Sequence, residues 1–111
     1  MLSERFQSFV NDDRVENIHG PDFFAIGAGE ELGEVLGLIK RVKRGDKEYR
    51  GQSTNKKLVK DMKLEIGDVL WYLTGLAQSY GLTLEEIFQA NYDKIQRRDK
   101  AGTRLGKGSN R

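Results

Sequence analysis

Two long stretches of the chain repeat apolar residues every three or four positions, a period that only an α-helix turns to one face. Leu32, Val35, Leu36, Ile39 and Val42 mark the first, and Met62, Ile66, Val69, Leu70, Leu73, Leu76 and Ala77 the second. No strand-like alternation competes with them. The expected fold is therefore all-α: a helical bundle of three main helices led by a short N-terminal one. The short helix is expected over residues 3–12, with Phe6, Phe9 and Val10 on one side. The next runs from about Asp22 to Arg44, with Pro21 suited to its first turn. Residues 45–55 read as a loop. The third helix starts near Asn55 or Lys56 and runs to about Tyr80, stopped by Gly81. Thr83 and Glu86 then form a capping box for a fourth helix that carries Leu84, Ile87, Phe88 and Ile95 inward. Asn91 falls on that inward stripe, either as a buried amide or facing a ligand. Gly27, Gly29, Gly33 and Gly37 each cost about 1 kcal/mol of helix propensity relative to Ala. A close helix or a ligand is the expected compensation.

A chain of 111 residues is most simply one domain. Residues 1–21 read as leading helix and loop, 22–98 as the helical core, and 99–111 as a basic, glycine-containing tail. Such a chain buries a modest core. With 37% hydrophobic and 32% charged residues, a homo-oligomer, dimer or tetramer, would help to cover its helix faces. The formal net charge of +2 is too small to argue for nucleic acid as a partner. The absence of cysteine excludes disulfides and thiolate metal sites. No apolar run approaches the roughly 20 residues of a membrane helix, and the N-terminus has no apolar signal segment, so the expected location is the cytoplasm.

Two carboxylate pairs border the apolar stripes: Glu31 with Glu34, and Glu65 with Asp68. Residues three apart share one helix face. If the two helices pack side by side, four acidic groups converge and repel one another unless a cation sits among them. An oxygen-only site without His or Cys points to Mg²⁺, or to Mn²⁺. Such an ion usually shares its shell with substrate phosphates. Alone, Glu-x-x-Glu usually decorates a solvated face. Here each pair borders a stripe and adjoins a helix-interior glycine, Gly33 or Gly67.

In this pattern the chain resembles the MazG-like nucleoside triphosphate pyrophosphohydrolases. The matching residues are Glu30-Glu31-Leu32-Gly33-Glu34, then Glu65-Ile66-Gly67-Asp68 continuing as Val69-Leu70-Trp71-Tyr72-Leu73. Asn91-x-x-Lys94-x-x-x-Arg98 and the tail from Gly102 to Arg111 are similar to the small single-domain, phage-type members. Thirty residues between Glu34 and Glu65 is toward the long end for the family, and Ser109 stands where relatives often carry aspartate.

The resemblance implies an all-α enzyme that hydrolyses an NTP or dNTP to the monophosphate and pyrophosphate, with house-cleaning of the nucleotide pool as the role it suggests. By that analogy Glu31, Glu34, Glu65 and Asp68 would be Mg²⁺ ligands, and Glu30 a further ligand or the residue that orients water. Tyr72 would pack on sugar or base. Asn91, Lys94 and Arg98, with Lys107 and Arg111 from the tail, would meet phosphates or the nucleotide. The alternatives are a diphosphatase of the all-α dUTPase type, or a non-enzymatic helical adaptor or nucleic-acid module using its basic tail. His19, the only histidine, reads as incidental unless the loop brings it to the nucleotide. Trp71 and the N-terminal phenylalanines read as packing.

Overall fold

The computed structural model describes residues 1–100. Among them run four α-helices: α1 (Leu2–Glu16), α2 (Pro21–Lys43), α3 (Lys56–Ser79) and α4 (Leu84–Lys100). Two short 3-10 turns, Lys47–Tyr49 and Gln52–Thr54, fill the connection between α2 and α3. The fold is all-α, as the periodicity implies. Helix boundaries follow local chemistry. Pro21 opens α2, and the Asn55 side chain accepts a 2.8 Å hydrogen bond from the Leu58 amide at the start of α3. The Thr83 hydroxyl accepts from the Glu86 amide while the Glu86 carboxylate accepts from the Thr83 amide, so the capping box forms.

α1 is longer than the polar run Asn11-Asp12-Asp13 suggests. Two local bonds carry it through: Arg14 donates to Asn11 Oδ1 at 2.8 Å, and Asn17 donates to Asp13 Oδ1 at 2.9 Å. Val10 is fully buried on the side facing the body.

The dominant packing is between the antiparallel helices α2 and α3. Two aromatic rings seat on two glycines. Phe24 of α2 lies against Gly75 of α3, where an added Cβ would stand 2.2 Å from the ring. Tyr72 of α3 lies against Gly27 of α2 with the same 2.2 Å clearance. These reciprocal contacts draw the backbones together at one end of the hairpin. At the other end Tyr49, from the connection, is buried between Leu38 and Leu58. Its hydroxyl donates to Asp61 at 2.7 Å, and Lys57 Nζ lies 2.9 Å from the same carboxylate oxygen. The bond from Tyr49, followed by that from Lys57, holds the Asp61 carboxyl below its ordinary range.

Three expectations are corrected here. Leu32 and Leu36 stay 49% and 60% exposed, and Ile39, 45% exposed, only borders the groove along α3. The inward side of α2 is instead Phe24, Gly27, Ala28 and Leu38, because small residues allow the closest approach there. Among the described glycines, only Gly27 and Gly75 take a close neighbour from the facing helix. A Cβ at Gly29, Gly33, Gly37 or Gly67 would meet nothing within 4 Å. Finally, α4 is not tucked inward. Ser3 and Gln7 of α1 hydrogen-bond to Glu85 at its first turn, and the Leu84 amide donates to Gln7. Beyond that turn Phe88 and Tyr92 are exposed, and Asn91 with them.

The two kinds of glycine should respond oppositely to alanine. Gly75→Ala forces a methyl into the Phe24 ring and is expected to cost about 1–3 kcal/mol. Gly33→Ala removes only backbone freedom and should stabilise by up to about 1 kcal/mol. Urea denaturation of both variants checks this; equal effects would contradict the ring-on-glycine packing.

Candidate metal centre

One helical turn beyond the Tyr72–Gly27 contact, each helix presents its acids to the other. Glu31 follows Gly27 by four residues, and Asp68 precedes Tyr72 by four, so the antiparallel register sets them opposite each other. Glu65 lies on the same side of α3. Carboxylate oxygens of Glu31, Glu65 and Asp68 all lie within 4.8 Å of one another. Glu31 and Glu65 are half-buried and Asp68 is exposed. The cluster is therefore open to solvent on one side.

Burial raises the Glu31 carboxyl above its ordinary 4.5, and the neighbouring charges of Asp68, Glu65, Glu34 and Glu30 raise it further, in that order. Every charged group named in that shift is an acid. The ordering places Glu34 and Glu30 within electrostatic reach, although neither joins the three converging oxygens. Both are exposed. Of the four expected ligands, three thus converge and Glu34 stands beside them.

This donor set suits a hard divalent cation. Octahedral Mg²⁺ takes oxygens at about 2.1 Å, which separates opposed ligands by about 4 Å. Three ligands of one octahedron include at least two adjacent pairs about 3 Å apart, so carboxylate oxygens within 4.8 Å must draw in by up to about 2 Å to meet it. The open side leaves room for water and for a ligand's own oxygens.

An aromatic surface continues from the cluster. Tyr72 sits 5.9 Å from Phe23, ring centre to ring centre, and Phe23 stacks in parallel on His19 at 3.7 Å. His19 is thus not incidental to packing; its i,i+4 spacing to Phe23 was the available signal. Trp71 takes the packing role expected of it, meeting Phe6 and Phe9 edge-on at 6.0 and 5.3 Å.

Of the residues that sequence resemblance assigns to the phosphates, three are described. Asn91, Lys94 and Arg98 lie on the part of α4 beyond its contacts with α1. No cation figures among the groups acting on Glu31. Lys107 and Arg111 lie outside the described residues.

A model of the MazG nucleotide pyrophosphohydrolase domain matches residues 26–103, which takes in both acidic helices and α4. The chain belongs to the MazG family. It is also 32% identical over 96 residues to the "Gene 37 protein" of Mycobacterium phage L5, across 86% of this chain and 81% of that protein. No solved structure gives a significant match. Among the described residues of this family member, no helix is long and apolar enough to cross a membrane.

The raised Glu31 carboxyl has a consequence for the metal-free protein. Between pH 4.5 and its higher folded value, the folded chain binds more protons than the unfolded one. Stability must then fall as pH rises through that window. In chelator, Glu31→Gln should raise the melting temperature at neutral pH, and the gain should vanish as pH drops below the ordinary carboxylate range. It should also remove the stabilisation that Mg²⁺ confers on the parent. A variant that melts lower at neutral pH would assign Glu31 a structural role.

Proposed function

We propose that the chain hydrolyses nucleoside triphosphates to the monophosphate and pyrophosphate at the Glu31–Glu65–Asp68 centre, with Mg²⁺. The observation that carries this reading is three carboxylate oxygens converging between two helices of a MazG-family chain. Glu31, Glu65 and Asp68 hold the ion, and Glu34, beside them, completes the set. The bound metal neutralises triphosphate charge and makes water more acidic.

The chain's own residues supply the rest. Water adds to the α-phosphorus as the bridge to the β-phosphate breaks, and pyrophosphate leaves with the electron pair. Glu30 is exposed at the rim of the cluster, where it orients that water and takes its proton. Tyr72, backed by Gly27 and flanked by Phe23, offers an aromatic face about one turn from the carboxylates for sugar or base. Positioning and electrostatics perform most of the work; no covalent intermediate is required.

A homodimer completes the arrangement. Leu32, Leu36 and Ile39 of α2, with Ile66, Leu70 and Leu73 of α3, leave one side of the hairpin apolar and exposed. An apolar groove of about 450 Å³ lined by Ile39, Val42, Val59, Met62 and Ile66 continues that side. The radius of gyration, 17.1 Å, exceeds the roughly 13 Å of a compact chain this size. A second copy packed hairpin to hairpin would cover these faces. It would also give α4 a surface to lie on, so that Asn91, Lys94 and Arg98 reach a neighbouring copy's phosphates, with Lys107 and Arg111 assisting from the tail.

Pyrophosphate release should be measured on a panel of NTPs and dNTPs with Mg²⁺. Release should fall by a hundredfold or more in Asp68→Asn, and the panel's ranking would give the base preference. No release from any nucleotide would favour a binding module on this fold, and release of phosphate from nucleoside diphosphates as well, measured separately, would favour the dUTPase-type reaction. Light scattering should show a dimer or larger assembly. Leu36→Glu with Leu70→Glu should yield monomers with little activity, while a monomeric parent would refute the shared interface.

A further inference from the structure

The chain is electrically divided. Residues 40–63, the tip of the α2–α3 hairpin, hold ten Lys and Arg against three Asp and Glu, a net charge of +7. The other described residues hold six against fourteen, a net charge of −8. The small overall charge conceals this division.

The acids at the tip are already engaged. Asp46 pairs with Arg44 at 2.7 Å, Asp61 with Lys57 at 2.9 Å, and Glu48 lies 3.8 and 3.7 Å from Arg41 and Lys57. Lys43, Lys47, Arg50, Lys56, Lys60 and Lys63 are exposed and make no ion pair among the described residues.

Folding alone does not account for the positions of Lys56 and Lys60. The first turns of a helix favour acids and disfavour cations, because the helix dipole places partial positive charge there. α3 begins Lys56-Lys57 with no acid in its first turn. Lys57 pairs with Asp61, whose carboxylate also feels the charge of Lys60 without a close ion pair, and Lys56 has neither. Lys56 and Lys60 share a face with Lys63 and point about 140° or more around α3 from Glu65, away from the metal centre.

We propose that this tip binds the phosphate backbone of nucleic acid. The cations spread over two helices and a loop, so they match an extended polyanion rather than one small anion. No exposed aromatic ring accompanies them, since Tyr49 is buried, which points to backbone contact without base stacking. Exposed Val59 and Leu64 flank the Lys56–Lys60–Lys63 face, but no aromatic ring stands with them to insert into a lipid surface, so lipid vesicles form the competing arm of the test. This surface is separate from the hydrolytic centre and does not depend on that reading.

The test is fluorescence anisotropy of the full chain with a labelled DNA duplex of arbitrary sequence, in chelator so that the metal centre is silent. Three or four phosphate contacts would give a salt slope of about −3 and weaken binding roughly 60-fold between about 50 and 200 mM salt. Lys56→Glu with Lys60→Glu should reduce that slope by about two and weaken binding at least tenfold. The same variant should melt no lower than the parent, because acids now sit at the helix start, and should keep its nucleotide turnover with metal. Arg104→Ala, Lys107→Ala and Arg111→Ala together should leave the tip's binding in place. Absence of salt-dependent binding, its loss only in the tail variant, or binding to phosphatidylserine vesicles but not to DNA would each overturn the proposal.

Discussion

Everything in this molecule is aligned by the seating of two aromatic rings on two glycines. Phe24 on Gly75 and Tyr72 on Gly27 bring α2 and α3 closer than ordinary side chains would permit. They also set the register of one helix against the other. Because Glu31 is one turn from Gly27 and Asp68 one turn from Tyr72, that register puts the acids face to face. A shift by one turn would separate the carboxylates and leave the rings without seats.

The acidic cluster is held together against its own repulsion. The raised Glu31 carboxyl is the visible sign, arising from burial and four neighbouring acids. A fold that keeps such groups together must draw the opposing energy from elsewhere. Here the Phe24 and Tyr72 contacts lie on one side and the Tyr49 plug on the other. The plug does more than fill space: Asp61 and Lys57 bind the connection to α3, closing the long segment between the two acidic pairs. That length is ordered by two 3-10 turns and one buried tyrosine.

Charge is distributed with similar consequence. Acids gather around the Glu31–Glu65–Asp68 cluster and the N-terminal half, while cations crowd the hairpin tip. Attention to the basic tail alone misses this, because the tip's lysines are interleaved with helix-forming residues and read locally as ordinary solvated positions. Only the hairpin geometry gathers Lys43 and Lys47 at the same end as Lys56 and Lys60. The apolar residues divide likewise into an inward face and an outward one, and a single period count does not distinguish them.

The helices, their caps and the two acidic pairs were legible in the sequence, because each rests on local chemistry. Pro21 and the Thr83–Glu86 pair act within one turn, and the three-residue spacing of the acids needs only a helix to share a face. Membership of the MazG family was legible for the same reason, since its motifs are short and helical. Tertiary structure alone decided which side of each helix turns inward. Leu32 and Leu36 carry as strong a helical period as Leu38, yet close approach at Gly27 and Gly75 rotated them outward. It likewise brought together Glu31, Glu65 and Asp68 but set Glu34 aside, and held α4 away from the cluster. Those outcomes depend on how two surfaces fit across space, which spacing along one chain does not encode.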